Sequence, residues 1–105
     1  MLNQVVLVGR ITQDLEIKEL ENGAKVCEIT LAVPRSFKNV EGVYDTDFIP
    51  CTLLGLVAGN AAEYCRKGDL VGIKGRVQRL ENEELKLVAE KVTFLSSRKS
   101  SEDNE

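Results

Sequence analysis

The 105-residue chain has no histidine and no tryptophan. Without histidine it lacks the one side chain whose ordinary pKa lies near neutrality, and with it the commonest general base. The carboxylates offer no replacement. Asp45 and Asp47 sit beside a strand entry, where such groups commonly face water, and Glu83-Glu84 lies in a turn without a companion cluster. Cys27, Cys51 and Cys65 form an odd, widely spaced set with no C-x-x-C pair. They read as small, partly buried thiols in a reducing compartment rather than a disulfide framework or a zinc site. Cys65 has basic neighbours in Arg66 and Lys67 but no base to activate it. Gly55-Leu-Val-Ala-Gly59 lacks the Gly-Lys-Ser/Thr ending of a phosphate loop. No catalytic residue, metal site or cofactor is therefore expected, and the chain does not read as an enzyme.

Long apolar runs are also missing. No stretch approaches the roughly 18 apolar residues of a spanning helix. Met1-Leu2-Asn3-Gln4 lacks the basic end and apolar stretch of a secretion signal. A cytoplasmic location without membrane attachment is expected. Positive charge is not in excess either: 14 Lys and Arg against 17 Asp and Glu leave a net charge of -3. Affinity for a polyanion must then come from local placement of cations, with the acids on other faces.

Strand signals are abundant. Residues 4–12 read as a first strand, apolar on both faces through Val5, Val6, Leu7 and Val8, which suggests burial against a core and a partner subunit. Residues 16–18 read as a short second segment, and Glu21-Asn22-Gly23 as a turn. Lys25 to Val33 is a strong strand that Pro34 is expected to end. Residues 35–45 read as a long hairpin arm or exposed loop, and 47–54 as the next strand. Val57, Ala58, Ala61, Ala62, Tyr64 and Cys65 fit a helix of about three turns, closed by Lys67-Gly68. Strands over 69–79 and 85–95 follow, joined by the acidic turn 81–84. On the last strand, Leu85, Leu87 and Ala89 are assigned to one face and Val88, Val92 and Phe94 to the other. Gly9, Gly72 and Gly75 read as close-packing or bulge positions. The order predicts an all-β fold: a five-stranded, partly open Greek-key barrel with one helix between the third and fourth strands. A small α+β sandwich is the competing architecture.

Within 69–79, alternation points Val71, Ile73 and Val77 one way and Lys74, Arg76 and Gln78 the other. One face can fill a core while the other offers a basic stripe to a phosphate backbone. Phe37, between Arg35 and Lys38, is the leading candidate for stacking on a base. Phe48 is divided between stacking and core packing, and Tyr44 is an assisting candidate. Tyr64 is expected to pack the helix on the barrel, and Phe94 to lie in the core or an interface. Arg10, Arg35, Lys38, Lys74, Arg76 and Arg79 make up the cationic set. Lys25 and Lys86 rank lower, and Arg66 and Lys67 fit helix termination better.

Taken together, several blocks resemble the bacterial or phage single-stranded DNA-binding proteins. They are Met1-Leu-Asn-Gln-Val-Val-Leu-Val-Gly-Arg-Ile-Thr, Thr30-Leu-Ala-Val-Pro-Arg-Ser-Phe-Lys, Asp45-Thr-Asp-Phe-Ile, the run from Asn60 to Gln78, and Val88-Ala-Glu-Lys-Val-Thr-Phe-Leu. The resemblance covers residues 1–95 and leaves 96–105 as a short, flexible polar tail. It implies an OB-fold domain that coats and protects single strands in replication, recombination and repair, without catalysis or sequence preference. A homo-oligomer is implied, with a tetramer favoured.

The family's stacking positions match Phe37 and Phe48. Its later aromatic position falls at Leu54, and its hairpin aromatic has no match. Fewer platforms and the acidic turn predict weaker, more salt-sensitive binding than in an aromatic-rich relative. Ser101-Glu-Asp-Asn-Glu is acidic but lacks the family's apolar tip, which argues against recruitment of replication enzymes through the tail. The alternative function is a divergent OB-fold protein-assembly module of a primosome-like complex with weak or no DNA binding, consistent with the net charge, the missing tryptophans and the acidic turn. RNA in place of DNA is a further alternative, since stacking does not read the sugar.

Overall fold

A computed structural model describes residues 1–97. Its elements are β1 (Val5–Ile11), β2 (Ile17–Glu19), β3 (Lys25–Lys38), β4 (Tyr44–Leu54), α1 (Leu56–Tyr64), β5 (Leu70–Arg79) and β6 (Leu85–Ser96). β6 takes in Ser96, and residues 98–105 of the expected tail lie outside the described residues. The sheet order is β1-β5-β6-β4-β3-β2, and an added β1–β3 pairing closes it. The fold is thus the expected five-stranded OB barrel, built from β1, β3, β4, β5 and β6. α1 lies between the third and fourth barrel strands, and short β2 is appended to β3.

Closure depends on β1 serving two neighbours. Val5 to Arg10 pair with Gly75 to Leu70 of β5, while Arg10 and Ile11 pair with Ala32 and Leu31 of β3. Gly9 lies at this crossing. A Cβ there would stand 2.8 Å from the Ala32 carbonyl oxygen and 2.9 Å from Val33 Cγ2. The side chains facing inward are short and apolar. Ile29, Leu31, Leu53, Val71, Ile73, Cys27 and Cys51 are all fully buried. Ala58 and Ala61 of α1 join this core cluster. In β5 the expected alternation holds, with Val71 and Ile73 buried and Lys74 and Gln78 exposed.

Three local expectations need correction. β3 does not end at Pro34 but continues to Lys38, as one side of the hairpin arm. Pro34 opposes Thr46 where the ladder register shifts, a place where a missing N–H is tolerated. α1 has nine residues and stops at Tyr64, because Cys65 is extended. Its C-terminus is closed by Arg66, whose Nη1 donates to the carbonyls of Ala62, Glu63 and Cys65 at 2.9–3.2 Å. Gly68 is not the cap: its N–H donates to the Ile11 carbonyl, tying the following loop to β1.

The third correction is on β6. Lys74 opposes Lys91 and Gly75 opposes Ala89, so Glu90 is the extra residue of a bulge. Past it the faces exchange. Val92 opposes Ile73 and joins Leu87 and Ala89 toward the core, whereas Val88 opposes Arg76 on the outer face. Gly75 makes the bulge possible, since a Cβ there would collide with the Val88 carbonyl oxygen. At Gly72 the nearest atom to an added Cβ is a Leu95 methyl carbon 3.8 Å away. Gly75→Ala is therefore expected to cost about 2–3 kcal/mol of stability. Gly72→Ala should stay within about 0.5 kcal/mol. Urea unfolding of the two variants, side by side, checks the difference.

Candidate nucleic-acid interface

Directly opposed residues in a ladder share a face, so register shows which predicted residues come together. On β4 the outward residues are Tyr44, Thr46, Phe48, Pro50, Thr52 and Leu54, alternating with Ile49, Cys51 and Leu53 on the core side. Phe48 is 66% exposed, so the choice between stacking and core packing goes to the surface. Leu54 is 44% exposed and lies on the same face, about 20 Å along the strand at roughly 3.4 Å per residue. Lys38 opposes Tyr44, which adds both to this face, with Lys38 Nζ 5.8 Å from the Tyr44 ring centre. Phe37 is 66% exposed in the irregular stretch between Pro34 and Lys38.

The face continues across the sheet. Thr52 pairs with Val88 of β6, and Val88 opposes Arg76 of β5; Thr52 and Val88 are themselves buried, so register links the strands here through a covered joint. Lys86 opposes Gln78 one step further on, so it joins Arg76 on the outer surface. Sequence reading ranked Lys86 low. Its period-2 spacing from Val88 was the available signal, but the bulge at Glu90 hid which side of the strand was outer.

Lys74, Arg10 and Arg79 lie elsewhere, and Arg76 and Arg35 are held by acids. Lys74 opposes Val6 on β1 and Lys91 on β6, away from the β3–β4 arm. Arg10 donates from Nη1 to the Gly68 carbonyl at 2.9 Å, at the closure of the barrel. Arg79 is at the β5–β6 turn, with Nη2 3.0 Å from Glu83 Oε1. Arg76 is 3.7 Å from Glu90 Oε2 and donates to Gln78 Oε1 at 2.8 Å. Arg35 donates to Asp47 from Nε (3.1 and 3.3 Å) and from Nη2 (3.0 Å). These hydrogen bonds hold the Asp47 carboxyl below the usual carboxylate range and raise the Arg35 guanidinium above its ordinary value. Arg35, Arg76 and Arg79 therefore each carry a carboxylate partner.

For Tyr64 the expected packing against the barrel is not found, and for Phe94 the core is excluded while an interface is not. Tyr64 and Phe94 are both exposed. They line a groove of ≈ 370 Å³ between α1 and β6, together with Val57, Ala61 and Val92. The cysteines are buried, and burial pushes the Cys51 thiol up to about 11 and raises Cys27 and Cys65 as well. Such thiols are poor nucleophiles. Among the described residues, no group of three acidic or cysteine side chains could hold a metal ion. No helix among them is long and apolar enough to cross a membrane.

A closed barrel of five strands with exposed rings and cations on one outer face is the architecture of an oligonucleotide-binding barrel. Residues 2–95 match the profile of the Single-strand binding protein family, and the chain belongs to that family. It is 51% identical over 86 residues to single-stranded DNA-binding protein B of Bacillus subtilis, covering 80% of this chain and 76% of that protein. It is 44% identical over 108 residues to a single-stranded DNA-binding protein of Halalkalibacterium halodurans, covering 95% of this chain and 64% of the relative. The wild-type single-stranded DNA binding protein of Thermus aquaticus superposes with a TM-score of 0.79 at 25% identity, over 93% of this chain. This chain covers only 52% of that larger one.

Because Phe48 is packed against little, truncating it tests whether the ring is structural. Phe48→Ala is expected to leave stability within about 0.5 kcal/mol of the parent. A larger loss in urea unfolding would return Phe48 to the core.

Proposed function

We propose that this chain binds and protects single-stranded DNA without sequence preference, and does so by stacking and phosphate contact rather than catalysis. The observation that carries this reading is the shared outer face of β4, β6 and β5, where Phe48 and Leu54 lie with Lys86 and Arg76. The exposed Phe37 and Lys38 extend it along the hairpin arm. Rings stack on any base, and cations follow any backbone, so the contacts carry no sequence preference. That the relatives are single-stranded DNA-binding proteins supports DNA as the ligand.

Within this reading, Phe37 and Phe48 are stacking platforms, Leu54 is a weak third, and Lys38, Lys74, Arg76 and Arg79 supply charge. Arg10 contributes at the rim of the barrel. Residues 1–95 are the binding domain. The protein serves replication, recombination or repair in the cytoplasm. It works as a homo-oligomer with a tetramer favoured. Val6 (65% exposed) and Val8 (50% exposed) support assembly, because they place an apolar strip on the outer side of β1.

Fluorescence anisotropy with an oligothymidylate, an RNA of equal length and a duplex, over a salt series, tests the assignment. Tight binding to the DNA single strand at low salt is expected, falling steeply as salt rises. No retention at low salt would refute it. Phe37→Ala and Phe48→Ala should each weaken binding by about 1–3 kcal/mol, and Leu54→Phe should tighten it by about 1 kcal/mol. Light scattering should give a mass several times the 11.6 kDa of one chain. Val6→Lys together with Val8→Lys should reduce it to the monomer.

A further inference from the structure

The β3–β4 arm has a defect at its base. Pro34 opposes Thr46 and Lys38 opposes Tyr44, so four steps on β3 match two on β4. The register shifts there, and Pro34 brings no N–H to the ladder. Beyond this point the tip closes on itself, with the Asn39 N–H donating to the Val43 carbonyl at 2.8 Å and the Gly42 N–H to the Asn39 carbonyl at 3.0 Å, so the segment that carries Phe37, Lys38 and Tyr44 is oriented across the irregular stretch below it.

A chain of side-chain contacts spans the gap. Arg35 lies within the irregular stretch, and its guanidinium forks onto Asp47 of β4. Its Nη1 is 3.7 Å from Asp45 Oδ2, also on β4. Asp45 Oδ1 accepts from Asn39 Nδ2 at 3.1 Å. Asn39 Oδ1 in turn accepts the backbone N–H groups of Glu41 (2.8 Å) and Val43 (3.0 Å), shaping the tip. A lone exposed ion pair holds little, but a forked guanidinium within a network holds a geometry. A phosphate approaching Arg35 would also meet two carboxylates.

Resting on the single-strand-binding reading above, we propose that Arg35 is a positioning residue. It clamps the arm across its irregular register, so that Phe37 and the Lys38–Tyr44 pair are presented to DNA, and it makes no phosphate contact itself. The fork is the essential feature, since a lysine offers a point charge but not two parallel donors.

The test uses the full chain, oligothymidylate anisotropy over a salt series, and amide hydrogen exchange of the free protein. Arg35→Gln, Arg35→Lys and Asp47→Asn should each weaken binding by a similar factor, about two- to ten-fold, and the Arg35→Gln/Asp47→Asn double should be no worse than a single. The salt slope should match the parent in all of them. Lys38→Gln, a phosphate-contact control, should flatten it by about 0.7. Exchange at Val43 and Tyr44 should speed up equally in the three clamp variants. Tighter binding by Asp47→Asn, parental binding by Arg35→Lys, or a flattened slope in Arg35→Gln would each overturn the clamp and make Arg35 a phosphate contact restrained by its acids. Should the parent protein bind no oligonucleotide, the binding reading fails, and the exchange data alone decide whether the clamp exists.

Discussion

The double pairing of β1 is the contact on which the rest of the molecule rests. One strand satisfies β5 along most of its length and then β3 over its last two residues. Without the second pairing the sheet would be open, with an unpaired edge on β1 and on β3. With it, the inner faces of five strands converge on one core of Ile, Leu, Val and Cys. Two backbone approaches make closure possible, at Gly9 against Ala32 and at Gly75 against Val88. Neither tolerates a Cβ. The barrel therefore depends on where side chains are absent as much as on where apolar ones are present.

Closure also sorts the surface. Once β3, β4, β6 and β5 are wrapped in that order, outward residues from four separate stretches of chain share one face. Phe48 and Leu54 of β4, Lys86 of β6 and Arg76 of β5 are brought onto it by the pairing of β4 with β6 and of β6 with β5. The same wrapping leaves Val6, Val8 and Lys74 together on the β1–β5 side. The net charge of -3 is no obstacle to this division, although several acids lie beside the arginines rather than on a distant face. Asp47, Glu90 and Glu83 each occupy a guanidinium. These guanidinium groups are thus engaged within the protein, while among the described residues Lys38 and Lys86 have no carboxylate within salt-bridge distance.

Much of this was readable in residue order, and the failures have identifiable causes. Strand identity and the outward Lys74, Arg76 and Gln78 follow from period-2 alternation, a local property. The exchange of faces on β6 does not, because the extra residue at Glu90 is defined by its partner strand, not by its own sequence. Pro34 looked like a strand end because its missing N–H is a local fact. That the N–H is not needed there is a fact about β4. Arg35 looked like a phosphate ligand from its neighbours Phe37 and Lys38. Its engagement with Asp45 and Asp47, ten and twelve positions away, appears only when the hairpin is formed.

Residue order alone determined the set of strands, the single helix and the family to which the chain belongs, since each rests on spacing or on residue type. Tertiary structure decided which of those residues meet. Bulges, barrel closure and ion pairing are relations between distant segments, and the free energy of a relation is not contained in either segment by itself. That is why Lys86 comes to share the outer face with Arg76, Phe94 and Tyr64 come to line an open groove, and Arg35 engages the acids of its own hairpin.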